Sequence, residues 1–130
     1  MTARIVAQSS VLLSRDVPAA ISYWCDVFGF SLGNAFGEPP GFAILRRDGA
    51  YVMLGATDSP IVPRRNQRES LFDAYFWVDD AQKAFTEMTA RGANVDYGPD
   101  QQPYGVLEFG LTDPDNHLIG FGQVLDSSSS

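Results

Sequence analysis

The stretches VLLSRDVPAAISYWCDVFGF (residues 11–30) and AYFWVDDAQKAFTEMTARGA (residues 74–93) follow one pattern, and that pattern decides the fold. Each begins with a short apolar strand and continues with an aspartate suited to a helix N-cap, Asp16 in the first copy and Asp80 in the second. A helical stretch follows, and a glycine suited to the C-terminal cap, Gly29 or Gly92, ends it. The sequence therefore contains an internal repeat.

Apolar residues inside both stretches recur at the spacing i, i+3, i+4 and i+7, which is typical of one face of a helix. In the first helix they are Ile21, Trp24, Cys25 and Phe28, and in the second they are Ala81, Ala84, Phe85 and Met88. Pro18 fits the opening turn of the first helix, where its missing N–H removes no hydrogen bond. Cys25 is interpreted as a packed thiol rather than a nucleophile, because its neighbours are apolar.

Short strands joined by turns follow each helix. Residues 41–45 and 50–54 flank an Asp-Gly turn at 47–49, and residues 106–111 and 117–121 flank an Asp-Pro-Asp-Asn turn at 113–116. Such residues tolerate positive φ, so both sets predict β-hairpins. Two strand–helix–strand copies in one chain predict an α+β fold.

The 130 residues are 45% hydrophobic and 19% charged, with a formal net charge of −7, which indicates one globular domain. The only dense basic stretch runs from Arg64 to Arg68, so no nucleic-acid partner is expected. No apolar run is long enough for a membrane helix, and Met1 to Ile5 do not begin a secretory signal. A cytoplasmic protein is the expectation. The acidity fits solubility alone, or the attraction of a cationic ligand.

Several motifs carry a family likeness. They are residues 15–20 (RDVPAA), 23–24 (YW) and 27–30 (VFGF) in the first copy, and residues 102–109 (QPYGVLEF) and 112–118 (TDPDNHL) in the second. In this order, over about residues 8 to 123, the chain resembles the glyoxalase/bleomycin-resistance/dioxygenase group, the vicinal oxygen chelate superfamily.

The resemblance implies two βαβββ modules whose curved sheets form a cup with a small-molecule site inside, commonly in a homodimer. Module one would cover about residues 5–57 and module two about 71–124, within a single domain of residues 1–125. A connector at about 58–70 would join them, and a disordered tail would occupy 126–130. The superfamily includes enzymes and antibiotic-sequestering proteins, so its fold does not decide the function.

The resemblance also locates the positions that hold a metal in metal-dependent relatives. Carried onto this chain by the repeat, they are Ser9, Met53, Asp73 and Gly120. Only Asp73 is a good oxygen ligand, whereas a catalytic divalent ion generally needs about three protein ligands. The only histidine, His117, is expected to face away from the cup in a surface or packing role. No metal and no cofactor are therefore expected.

Strand alternation extends these positions to a predicted cavity face. The candidate ligand-binding residues are Tyr51, Met53, Asp73, Tyr75, Trp77, Tyr104 and Glu108. Phe36 is placed in a glycine-rich loop beside the opening. Aromatic rings and carboxylates suit a flat, apolar or cationic ligand. Alternatively, the aromatic run at 75–77 belongs to a core or dimer interface, and Asp73 needs a hydrogen-bond partner or solvent.

The leading hypothesis is a metal-independent small-molecule-binding protein that resembles bleomycin-resistance proteins and sequesters an aromatic or cationic ligand, as in antibiotic resistance. The alternative is a glyoxalase-like lyase or isomerase that uses Asp73 or Glu108 as acid or base. A ligand-sensing or partner-binding domain is a third reading. Whether the protein is an enzyme stays open at this stage, and the binding protein is favoured.

Overall fold

The computed structural model describes residues 2–66 and 71–125. The chain divides into two compact units, with unit one ending at Ile61 and unit two beginning at Val62. The predicted tail at 126–130 and the connector residues 67–70 lie outside the described residues. No helix in the described ranges has the length and hydropathy needed to cross a membrane.

Unit one contains one helix and one four-stranded sheet. Its elements are β1 (Ser9–Ser14), α1 (Val17–Asp26), β2 (Ser31–Phe36), β3 (Phe42–Arg47) and β4 (Ala50–Ala56). The strands lie in the order β1-β4-β3-β2. The pair β1 and β4 is parallel, and the other two pairs are antiparallel.

Unit two repeats this arrangement. After a short 3₁₀ helix (Arg64–Asn66) it contains β5 (Ala74–Trp77), α2 (Ala81–Ala90), β6 (Asn94–Gln102), β7 (Val106–Thr112) and β8 (Leu118–Val124). Its strands lie in the order β5-β8-β7-β6, with β5 and β8 parallel. Each unit is therefore one βαβββ module, and the predicted α+β fold is confirmed.

Both helices begin where the sequence predicts. The side chain of Asp16 accepts a hydrogen bond from the Ala19 N–H at 3.1 Å, and that of Asp80 accepts one from the Lys83 N–H at 3.0 Å. Each bond satisfies one of the free N–H groups of the first helical turn. Gly29 and Gly92 follow the helix ends with φ of 77° and 97°, a conformation that glycine adopts without strain.

The helix of each unit packs on an aromatic core. In unit one Trp24 contacts Phe28 and Phe30 edge-to-face, with centroids 4.7 and 5.1 Å apart. In unit two Phe109 stacks on Phe121 at 5.0 Å. Each helix covers one face of its sheet. The candidate site residues that belong to strands lie on the opposite face.

Two details differ from the sequence-based expectation. Phe36 is the last residue of β2 rather than part of a loop, because its backbone pairs with Phe42 of β3. The sequence pattern does not locate strands β2 and β6 individually. Both strands are irregular, with register shifts between Leu32 and Asn34 in β2 and between Val95 and Asp100 in β6. Both predicted hairpin turns are present, with Asp48 and Asn116 at φ of 51° and 62°.

Candidate functional site

Three glycines lie side by side on the helix-free face of the unit-two sheet, where Gly110 pairs with Gly120, and Gly122 follows two residues later on β8. A Cβ atom at Gly120 would lie 2.5 Å from Cδ2 of Tyr75 and 2.7 Å from Cε1 of Phe72. Real carbon atoms do not approach so closely, so the missing side chains make room for aromatic rings. The rings that use this room belong to Phe72, Tyr75 and Tyr97.

Glu108 lies beside the glycines and is only 3% exposed. Three tyrosine hydroxyls donate to its carboxylate. Tyr75 and Tyr104 bond to Oε1 at 2.7 and 2.8 Å, and Tyr97 bonds to Oε2 at 2.5 Å. These lengths are near those of hydrogen bonds to an ionised carboxylate. We refer to Tyr75, Tyr97, Tyr104 and Glu108 as the tyrosine–glutamate cluster.

The sheet register explains how the three tyrosines reach one carboxylate. Glu108 pairs with Gly122 on the neighbouring strand, and a Cβ atom at Gly122 would collide with the Tyr75 hydroxyl. Tyr75 can therefore cross β8 only because Gly122 has no side chain. Tyr97 arrives from β6 on the other side, opposite Gly110. Tyr104 comes from the turn that leads into β7.

The surroundings keep all three phenols protonated. Burial, together with the hydrogen bond to Glu108 and its charge, raises the pKa of Tyr104 to about 12. The same causes raise the pKa values of Tyr75 and Tyr97. A neutral phenol donates a hydrogen bond to the carboxylate, whereas a phenolate would repel it. The cluster therefore keeps its hydrogen bonds throughout the physiological pH range.

Two aromatic rings at this site are open to solvent. Trp77 and Tyr104 are each 63% exposed, whereas the other tryptophan, Trp24, is completely buried. Trp77 contacts Tyr75 with ring centroids 5.1 Å apart. Both exposed rings are thus attached to the cluster, Tyr104 by its own hydroxyl and Trp77 through Tyr75. Exposed aromatic faces that are held in place are suited to stacking on a flat ligand.

Asp73 is held differently. Its Oδ2 accepts the N–H of Leu118 at 2.9 Å, and its Oδ1 accepts the N–H of Arg64 at 3.2 Å and lies 3.7 Å from Nδ1 of His117. Burial acts to raise the pKa of Asp73, but the interactions with His117, Leu118 and Arg64 outweigh it and leave the pKa lowered. Its side chain is 7% exposed, so Asp73 ties β5 to β8 and the chain entering unit two.

Unit one has its own cavity, with a volume of about 210 Å³. It is lined by Ala7, Gln8, Ser9, Ile44, Tyr51 and Met53. The guanidinium carbon of Arg46 lies 5.6 Å from the centroid of the Tyr51 ring, within the range of a cation–π contact. Tyr51 and Met53, which the repeat register selected from sequence, therefore border one small, mainly apolar cavity.

The four family metal positions do not fit a divalent ion. Both oxygens of Asp73 already accept backbone N–H groups, and Gly120 lies under the rings of Tyr75 and Phe72. Ser9 and Met53 offer a hydroxyl and a thioether, which are weak ligands for such an ion. Residues 2–66 and 71–125 contain no group of three or more His, Cys, Asp or Glu side chains that could hold a metal.

The structure brings Tyr75, Trp77, Tyr104 and Glu108 together in unit two, and Tyr51 with Met53 in unit one. It places Asp73 in a backbone-binding role, and the ligand-binding role of all seven residues stays a prediction. Sequence reasoning missed Tyr97 because β6 is irregular, with register shifts on both sides of this residue. Its position opposite Gly110 was the available signal, but it requires the pairing of β6 with β7.

The chain belongs to the Glyoxalase/Bleomycin resistance protein/Dioxygenase superfamily, whose family model matches residues 6–121. No curated protein matches the chain at a significant level.

Several solved structures are similar to this chain over most of its length. TioX from Micromonospora sp. ML1 has 25% sequence identity and a TM-score of 0.75, with 92% of this chain and 98% of TioX covered. TnmS3, an antibiotic binding protein from Streptomyces sp. CB03234, has 25% identity and a TM-score of 0.70, with 95% of this chain and 99% of TnmS3 covered. A family member from Alicyclobacillus acidocaldarius has 17% identity and a TM-score of 0.75, with 94% and 93% covered, and shares the fold.

Replacement of Gly120 tests the packing of rings over the glycines. We expect Gly120→Ala to lower the free energy of unfolding by about 1–3 kcal/mol, because the new methyl group overlaps the rings of Tyr75 and Phe72. Gly49→Ala is the matched control, since a Cβ atom there meets nothing within 4 Å. Chemical denaturation measures both. Equal stability of the two variants would contradict the packing described here.

Asp73→Asn tests the buried carboxylate. Its amide group leaves a backbone N–H without an acceptor, so we expect a loss of about 1–3 kcal/mol at pH 7. The pKa of Asp73 is lowered on folding, so its stabilisation is present above the usual value of 3.8 and is lost as the pH falls through the lower, folded-state value. The difference between wild type and variant should therefore shrink in acid.

Denaturation curves between pH 7 and pH 3 measure this effect. The exposed Asp58 supplies the control, and Asp58→Asn should change stability by less than about 0.5 kcal/mol at any pH. A difference between wild type and Asp73→Asn that stays constant over this range would show that the charge of Asp73 is not the stabilising feature.

Proposed function

We propose that this protein is a metal-independent small-molecule-binding protein that sequesters an aromatic or cationic ligand. One observation carries the proposal: the solvent-exposed rings of Trp77 and Tyr104 are held by a buried carboxylate and its tyrosine partners. The geometry leaves large aromatic faces open to solvent and fixes them in place. That arrangement suits recognition of a planar molecule.

Pre-organisation is the physical advantage of the cluster. A flexible exposed side chain loses rotamer freedom when a ligand binds, at a cost of roughly 0.5–1.5 kcal/mol each. The hydroxyl of Tyr104 is already bonded to Glu108, and Trp77 already packs against Tyr75. A ligand that stacks on these rings therefore avoids much of that cost.

The net charge and the unit-one cavity also support the proposed ligand class. The formal net charge of −7 attracts cations at long range. The unit-one cavity of about 210 Å³ is smaller than the roughly 300 Å³ at which drug-sized sites begin. It suits a small group of about one substituent rather than a whole drug-sized molecule.

The comparisons support a binding function. TnmS3, which is described as an antibiotic binding protein, is 25% identical and is covered almost completely by this chain. An antibiotic with a planar aromatic part is accordingly the ligand class that we favour. We further propose that the protein acts in the cytoplasm as a homodimer, since the family resemblance implies that dimers are common.

The enzymatic alternative has less support from the geometry. A general base needs a carboxylate lone pair that can reach the substrate. Both oxygens of Glu108 accept tyrosine hydroxyls, and both oxygens of Asp73 accept backbone N–H groups. Glu108 is only 3% exposed and the Asp73 side chain only 7%, so neither carboxylate offers much surface to a substrate.

Proflavine, a planar aromatic cation, is a suitable probe. We expect saturable binding with a dissociation constant below about 100 μM, unchanged by a chelator because no metal takes part. Tyr104→Ala should weaken binding roughly tenfold, in line with the loss of one aromatic contact. Isothermal titration calorimetry measures each value.

Val95→Ala supplies a control, since Val95 is an exposed apolar residue of unit two that pairs with Leu111 rather than with a member of the cluster. It should leave the dissociation constant within about twofold. The proposal fails if proflavine does not saturate the wild-type protein, or if a chelator abolishes its binding.

A further inference from the structure

Glu108 differs from Asp73 and Asp96 in the way its charge is compensated. Arg65 pairs with Asp96 at 2.7 Å, and Asp73 lies 3.7 Å from His117. Within residues 2–66 and 71–125, Glu108 has no ion pair, and it accepts hydrogen bonds from three neutral phenols. Hydrogen bonds from neutral groups stabilise a charge but do not cancel it. Within the described ranges, the Glu108 carboxylate therefore lies beneath an aromatic surface with hydrogen bonds but no cation beside it.

The three hydrogen bonds to Glu108 change the electron density of the tyrosine rings. A phenol that donates to an anion gains electron density in its ring, and the ring face becomes more negative. Tyr104 presents such a ring directly to solvent. Trp77 lies against the polarised ring of Tyr75, with ring centroids 5.1 Å apart. Tyr104 therefore contacts the carboxylate directly, and Trp77 is linked to it through Tyr75.

Register fixes the distance over which the charge acts. Trp77 pairs with Gly122, and Gly122 pairs with Glu108, so the three residues form one cross-strand row. Two strand spacings separate the backbones of Trp77 and Glu108 by roughly 10 Å. The intervening position is a glycine, and the Tyr75 hydroxyl fills it. Protein rather than water lies between the carboxylate and the ring, so solvent screens the interaction less than it would between two exposed charges.

We propose that Glu108 is a specificity-determining residue that selects planar aromatic cations over neutral rings of the same shape, although no ligand touches it. It acts through Tyr75 and Tyr104, which make the exposed faces attractive to positive charge. This inference rests on the proposed ligand-binding function and names the charge class of the ligand. In this role Glu108 is a positioning and polarising group, because its oxygens lie behind the tyrosines that bind them.

The test uses two probes of equal size and shape, 1-methylquinolinium and 1-methylnaphthalene, which differ in one positive charge. Their dissociation constants follow from the shift of the Trp77 indole N–H signal in NMR titrations. We expect wild type to bind the cation roughly tenfold more tightly than the neutral probe, the range of a partly desolvated cation–π contact. Glu108→Gln should reduce that ratio to about two, with little change for the neutral probe.

Two further variants separate the cause of the preference. Tyr104→Phe keeps the exposed ring but cuts its link to Glu108, so the ratio should fall about two- to threefold even if Glu108→Gln does not fold. Asp100→Asn is the control, because Asp100 is exposed and lies opposite Glu108 on β6. It removes the same formal charge from a position that water screens, so the ratio should stay within about 1.5-fold of wild type.

The outcomes distinguish the inference from the proposed function. If the neutral probe binds wild type as well as the cation does, the charge preference is wrong while ligand binding stands. If Glu108→Gln weakens both probes equally, Glu108 is only a structural support and the inference is overturned. An equal loss of preference in Asp100→Asn overturns it in favour of net charge. If neither probe shifts Trp77 in wild type, the binding function itself falls.

Discussion

A carboxylate that water cannot reach must be given hydrogen bonds by the protein, and this requirement at Glu108 organises the whole helix-free face of unit two. Three strands and one turn contribute to meeting it. Tyr75 comes from β5, Tyr97 from β6, Tyr104 from the turn before β7, and Glu108 from β7 itself. Loss of the carboxylate would leave the three hydroxyls without their shared acceptor.

The glycines of β7 and β8 make room for the tyrosine rings that reach Glu108. A tyrosine ring can lie across a strand only where that strand carries no side chain, and Gly110, Gly120 and Gly122 supply such a path. In metal-dependent relatives the position of Gly120 is expected to carry a ligand. Here the same position is covered by the rings of Tyr75 and Phe72, so it offers room for packing and no side chain for a metal.

The internal repeat made much of this predictable. Two capping aspartates, two helices and two turns located the modules, and strand alternation placed Tyr75, Trp77 and Glu108 on one face, as the register confirms. Alternation could not find Tyr97, because β6 breaks its register on both sides of that residue. Alternation also did not predict the partner of His117, because this residue precedes β8. Its Nδ1 lies 3.7 Å from Oδ1 of Asp73. The partners of Asp73 are up to 45 residues away in sequence, and no local pattern reports such a distance.

The central claim is that the Glu108 carboxylate holds the tyrosine hydroxyls in place, and NMR observation of those hydroxyl protons tests it most directly. Hydroxyl protons of Tyr75 and Tyr97 should be protected from exchange with water, because both groups donate short bonds to a buried carboxylate. In Glu108→Gln these signals should shift or disappear while the backbone amide spectrum is retained. Absence of protected tyrosine hydroxyls in the wild-type protein, or their persistence unchanged in the variant, would contradict the account.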